Sequence, residues 1–247
     1  MKNGVKHTLG GVKMKNKVVS SIILAVVILA LGSLMFFNMS KPQNHNEQIW
    51  DDGTTIGNMD AKNYYIIYTD LACPYCDAFS RAIMEHEEEF EKDYIEGKDI
   101  LFELRITEFL YLYSEHKPKM SEWSAEGVYC ARNQGKFWEY YHAALKALWN
   151  DYHSKGIGVS KTAPKIEGMT ADYWLKIGQD LGLGAEFETC FTEHKMLDEI
   201  RANTEKAVKY VDGGLPYFKF GSFATGGFDN NWGWDYVKRY LDAGLKK

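Results

Sequence analysis

The chain is poor in cysteine and has one close cysteine pair. Its 247 residues hold four cysteines. Cys73 and Cys76 stand three apart, while Cys130 and Cys190 stand alone. A structural zinc needs four ligands, commonly two such pairs or one pair with two histidines about three to five residues apart. The sequence has no second pair and no histidines at that spacing, so no metal is expected. Acid is missing from residues 1–41, which carry six lysines. Charge of either sign is missing from residues 18–37. No cysteine lies near the end of that uncharged run, which argues against a lipoprotein. Internal repeats and low-complexity blocks are also missing.

The uncharged run reads "VVSSIILAVVILALGSLMFF". Twenty helical residues rise roughly 30 Å, the thickness of a bilayer core. Lys2, Lys6, Lys13, Lys15 and Lys17 precede the run and Lys41 follows it. That bias predicts a cytoplasmic N-terminus and an outward-facing remainder. The rival reading is a cleaved signal peptide. Its apolar core would be about 7–15 residues, and no clear small-x-small site follows this one. The chain therefore reads as a basic cytoplasmic tail (1–17), a single-pass transmembrane signal-anchor (18–37), a polar linker (38–48) and a folded domain (49–247). Either reading delivers that domain outside the cytoplasm, where disulfides persist.

Beyond residue 41, 23 basic residues face 34 acidic ones, a net charge of −11. That surface suits neither nucleic acid nor an anionic lipid surface. Apolar residues make up 45% and aromatics 15%, enough for a real core.

"NYYIIYTDL" (63–71) reads as a buried strand. A helix should start at the cysteine pair, with Pro74 at the first helical position, where a missing N–H costs nothing. Phe79, Ile83, His86, Phe90 and Tyr94 then recur at helical spacing. "DILFELRI" (99–106) alternates as a second strand, with Glu103 and Arg105 on the face away from its aliphatic residues. Trp123, Gly127, Cys130, Gln134, Phe137, Tyr141, Leu145 and Leu148 follow a helical period that Gly135 interrupts. "TADYWLKIGQDLGL" (170–183) starts at a Thr170 cap. A single long helix is expected from Ala185 to Val211. "GGLPYFKFG" (213–221) returns to a short strand, and the C-terminus closes with a helix. Strands separated by helices imply an α/β domain with a mainly parallel or mixed sheet. The helices between about 113 and 205 are too many for one crossover and read as a helical subdomain inserted into it.

Two thiols at a strand's end admit three readings: a metal clip, a structural staple, or a dithiol in exchange. The clip lacks ligands. A staple across two intervening residues closes so small a loop that it constrains little. Exchange explains the placement better. A cysteine at a helix's amino end meets unsatisfied N–H groups and the positive end of the dipole, which favour the reactive thiolate. Cys73 is therefore the expected attacking sulfur and Cys76 the resolving one. Pro74 and Tyr75 tune the pair without charge. Asp70, and less so Glu103, are candidate proton acceptors for Cys76, against a plain structural role. His86, His116, His142 and His194 read as packing or surface residues. Trp138, Tyr140, Tyr141 and Trp149 read first as core.

"YIIYTDLACPYC", "EGVYCARNQGKFWEYYHAAL", the cysteine in "FETCF" and "GGLPYFKFG" together resemble the DsbA-like branch of the thioredoxin superfamily over roughly residues 50–245. The resemblance implies a thioredoxin fold with an inserted helical domain, and thiol–disulfide exchange on extracytoplasmic proteins. It implies no cofactor beyond the redox-active Cys73–Cys76 disulfide. It implies a cis Leu215–Pro216 peptide beside Cys73, where Leu215 pairs with a substrate strand, and a structural disulfide between Cys130 and Cys190. The implied partners are exported or unfolded cysteine-containing proteins and a membrane redox partner that regenerates the site. The expected direction is oxidation. A reductase or isomerase using the same site is the alternative, as is a non-catalytic binding or scaffold domain. Tyr75 stands where some strongly oxidising members carry His, which argues for a milder oxidant. Leu215 replaces the usual Thr or Val.

Overall fold

The computed structural model describes residues 53–159, 165–209, 211, 214–220, 223–229 and 231–245. The chain divides into two units, Met1–Glu47 and Gln48–Lys247. The expected tail, anchor and linker lie outside the described residues. No helix among the described residues is long and apolar enough to cross a membrane.

The second unit is built on a five-stranded mixed sheet in the order β1-β3-β2-β4-β5. Its strands are β1 (Thr55–Ile56), β2 (Asn63–Thr69), β3 (Ile100–Ile106), β4 (Tyr217–Phe220) and β5 (Phe223–Gly226). β2 lies at the centre because its run of Tyr and Ile is apolar on both faces, as a strand covered on both sides must be. It pairs parallel with β3, from Asn63↔Ile100 to Thr69↔Ile106. It pairs antiparallel with β4, from Tyr65↔Phe220 to Tyr68↔Tyr217.

A parallel neighbour requires a crossover. That crossover is α1 (Pro74–Met84), α2 (Glu87–Phe90) and a π-helical turn (Glu91–Glu96). Between β3 and β4 run α3 (Phe109–Tyr113), α4 (Lys119–Arg132), α5 (Phe137–Asp151), α6 (Ala171–Asp180), α7 (Ala185–Thr192) and α8 (Leu197–Val208), and the chain closes with α9 (Trp234–Leu245). Tyr65, Ile67, Phe102, Leu104 and Ile106 face the main core. Ile66 and Tyr68, on the other face of β2, join a smaller cluster with Cys73, Cys76, Leu215 and Tyr217.

Several expectations need correction. The stripe from Phe79 to Tyr94 is not one helix. α1 stops at Met84 and His86 leaves helical geometry with φ −128°. Ala185–Val211 is likewise two helices, broken where His194 takes φ +55° and its Nδ1 meets the Glu126 carboxylate on α4 at 2.9 Å. Glu103 and Arg105 are not at a surface. Both are buried and bond one another, while Arg105 donates to the Tyr64 and Tyr68 hydroxyls. Trp149 is not core: it is 38% exposed, under the Arg81 guanidinium. Gly135 does divide the helical stretch, at φ +69°. The strand β1 and helix α3 had no sequence expectation.

Candidate functional site

The end of β2, the start of α1 and the turn before β4 meet at the cysteine pair. Cys73 is the residue before the first turn of α1, with extended backbone (φ −90°, ψ 114°), and Pro74 follows it. The Cys73 N–H donates to the Asp70 carbonyl at 2.9 Å, and the Asp77 N–H donates to the Cys73 carbonyl at 3.1 Å. The Cys73 side chain makes no capping hydrogen bond to the first turn, and the residue is buried, 5% exposed. The Cys73 thiol donates to the Leu215 carbonyl at 3.9 Å. Leu215–Pro216 is cis. Tyr75, Phe109, Leu110 and Val211, all partly buried, pack around this cluster.

Cys76 sits one turn deeper and is 1% exposed. Burial raises its thiol pKa well above the ordinary value, and the neighbouring Cys73 sulfur raises it further. The Thr69 hydroxyl and the Asp70 backbone N–H pull the other way.

The Asp70 carboxylate turns elsewhere. Oδ1 accepts from the Ala72 N–H at 2.8 Å, and Oδ2 from the Leu110 N–H at 2.8 Å and the Ser121 hydroxyl at 2.6 Å. It thus ties the loop that leads into the cysteine pair to α3 and α4. Complete burial pushes its pKa up to about 6 in spite of those three donors. Glu108 is raised to about 7 by burial and then by the charge of Glu122, while Arg201, 3.3 Å away, opposes the shift.

The cysteines 130 and 190 are bonded, with S–S 2.02 Å and Cα–Cα 5.8 Å, which joins α4 to α7 inside the helical insert. His86 stacks on Trp234, His116 is exposed, and burial lowers the pKa of His142. Tyr140 donates to the Trp174 carbonyl at 2.7 Å, through space that Gly127 leaves open, since a Cβ there would lie 2.1 Å from the Tyr140 oxygen. Among the described residues no group of three or more His, Cys, Asp and Glu is placed to hold a metal ion.

Sequence reasoning passed over Asp77 and His153. Asp77 follows Cys76 directly and is 2% exposed; its Oδ2 meets His153 Nδ1 at 2.8 Å and accepts from Arg81 Nε at 3.0 Å. The pairing spans 76 residues, so no local pattern announces it. Ser80, whose hydroxyl shares a 2.6 Å hydrogen bond with the Tyr141 hydroxyl, was also unmarked, and Tyr141 was marked only as core.

The sequence profile of the family described as thioredoxin matches residues 51–214. No curated protein matches the chain. Solved structures share the fold at low identity. A thioredoxin-like oxidoreductase from Silicibacter pomeroyi is 18% identical, with TM-score 0.53 over 81% of this chain and 99% of that one. The thiol-disulfide exchange protein alpha-DsbA2 from Wolbachia pipientis is 15% identical, with TM-score 0.52 over 76% and 85%. Chlamydia trachomatis DsbA is 14% identical, with TM-score 0.53 over 82% and 96%. Profile, sheet order and the dithiol at the head of α1 lead to one assignment: this chain belongs to the thioredoxin family.

Proposed function

We propose that the protein is a DsbA-like thiol–disulfide oxidoreductase, held in a membrane by residues 18–37, whose domain faces outward and donates the Cys73–Cys76 disulfide to exported cysteine-containing proteins. The observation that carries this reading is the asymmetry of the two sulfurs. Both are buried, but Cys73, 5% exposed, stands at the amino end of α1 beside the Leu215 carbonyl, and Cys76, 1% exposed, lies one turn below with its thiol pKa raised by burial. The likeness to DsbA structures supports it through the fold.

In the oxidising direction a client thiolate attacks Cys73 Sγ. The intramolecular S–S bond breaks, its electron pair leaves on Cys76 Sγ, and that sulfur takes up a proton. A second client thiolate then attacks the client sulfur of the mixed disulfide. This releases Cys73 as a thiolate, beside helix N–H groups that stabilise negative charge. The client leaves oxidised and the dithiol is reduced. A membrane partner's disulfide restores it by the reverse exchange. The Leu215 backbone lies where an extended client strand pairs next to the sulfur. No cofactor is required.

The test is a Cys76→Ser variant of the full chain. It should accumulate mixed disulfides with exported proteins, and the trapped set should include a membrane redox protein. Absence of any trapped species, with Cys73 unreactive toward alkylating reagents near neutral pH, would overturn the reading in favour of a scaffold domain. Equilibration with glutathione fixes the direction. A potential near thioredoxin's roughly −270 mV assigns reduction instead.

A further inference from the structure

The residue after Cys76 is an acid in a place where acid is costly. Asp77 lies in the first turn of α1, and its N–H donates to the Cys73 carbonyl at 3.1 Å. Its side chain is 2% exposed. The two carboxylate oxygens are treated unequally. Oδ2 accepts from Arg81 Nε at 3.0 Å and meets His153 Nδ1 at 2.8 Å. Oδ1 is buried as well and has no hydrogen-bond partner among the described residues. A buried acceptor without a donor lowers stability, and more so on a charged group. A neutral residue would remove that cost, so the carboxylate calls for a reason other than folding.

Its position supplies one. The amino end of a helix favours negative charge, which is what steadies a thiolate at Cys73. A carboxylate in the same first turn opposes a second negative charge there, and repulsion is screened little away from water. Arg81 on α1 and His153 in the turn after α5 offset that repulsion. Arg81 is shared: it also reaches Glu85 at 3.4 Å and lies over the Trp149 ring at 3.7 Å. His153 is delivered by the helical insert and is buried with Asp77. The field at the head of α1 is therefore a balance of one acid against two basic groups.

We propose that Asp77, balanced by His153 and Arg81, sets the redox poise of the Cys73–Cys76 pair. The inference deepens the oxidoreductase reading and rests on it. When glutathione reduces the pair, two glutathione thiols give two electrons to the Cys73–Cys76 S–S bond and join as glutathione disulfide. One of their two protons goes to the Cys76 sulfur and the other to solvent, which leaves Cys73 as a thiolate. The disulfide form has no charge at Cys73 and the reduced form has one. Asp77 thus disfavours the reduced form and makes the pair a weaker oxidant. His153 and Arg81 move the balance back. Asp77 acts through the field at Cys73 and is a positioning residue.

The experiment equilibrates the full chain with glutathione buffers near neutral pH and reads the ratio of reduced to oxidised protein. Asp77→Asn should move the equilibrium constant about tenfold toward the reduced protein, about 30 mV for a two-electron couple. His153→Phe should move it severalfold the other way, because only Arg81 then offsets the carboxylate. Loosened packing does not produce this pattern, since loss of the shared hydrogen bond alone would shift both variants in one direction. Should His153→Phe fold poorly, Arg81→Gln takes its place with the same expected sign. An unchanged constant in either variant, or shifts of the same sign in both, overturns the proposal and leaves the oxidoreductase reading intact. A wild type whose Cys73 and Cys76 do not exchange with glutathione at all overturns that reading itself.

Discussion

His153 Nδ1 lies 2.8 Å from the Asp77 carboxylate, and both side chains are almost wholly buried. The contact fastens the turn after α5 to α1, one residue beyond Cys76. Arg81 approaches the same oxygen at 3.0 Å. The helical insert and α1 are thereby coupled by hydrogen bonds to a buried carboxylate, which are stronger than surface pairs.

Replacing His153 by Phe keeps the bulk of the ring and removes its hydrogen bond to Asp77. The expected loss is about 2 kcal/mol, the typical penalty for a buried polar group deprived of a partner. Urea unfolding of the oxidised protein measures it. A loss below about half a kcal/mol would mean that the Arg81 contact alone satisfies Asp77.

Stability should fall as pH rises from about 4 to 7. Asp70 goes from 3.8 to about 6 on folding and Glu108 from 4.5 to about 7. In that window the folded chain holds protons that the unfolded chain has already released, so raising the pH favours unfolding; above about 7 the contribution is flat. For Asp70 the full change is about 3 kcal/mol. Chemical unfolding at a series of pH values checks the slope, and the double variant Asp70→Asn, Glu108→Gln should flatten it. A slope that persists unchanged in the double variant would assign it to other groups.

The Cys130–Cys190 bridge closes a separation of 60 residues within the insert. Chain entropy assigns such a loop about 4 kcal/mol. Ala at both positions should lower the unfolding free energy by that order. It should leave glutathione exchange at Cys73 unchanged at temperatures where the variant is folded. Loss of exchange in a folded variant would tie this bridge to the chemistry.

The sequence announced the frame of this site better than its interior. Cys73, Pro74 and the strand before them are local features, and their spacing predicted the helix start that the structure has. Gly135 likewise marked a turn, because only a residue without a Cβ takes φ +69° at little cost. His194 takes φ +55° without being glycine; the Glu126 contact 68 residues away accompanies it, and local periodicity could not reveal it. Glu103 and Arg105 were legible only as polar residues on the face away from the strand's aliphatic side, and their burial was not. A strand with neighbours on both sides and packing on both faces buries its polar residues too, provided they pair with one another. Asp77, His153 and Ser80 escaped notice for a related reason. Each is ordinary in its own segment and acquires meaning only from partners on other elements.

The sheet ends on one side in a strand of two residues, Thr55–Ile56, and on the other in one of four, Phe223–Gly226. Margins this brief present few free backbone donors and acceptors to a passing polypeptide. In the proposed role among incompletely folded chains this would be an advantage, since stray strands would find little ledge on which to zip up and aggregate, and engagement would be left to the turn at Leu215, adjacent to the sulfur.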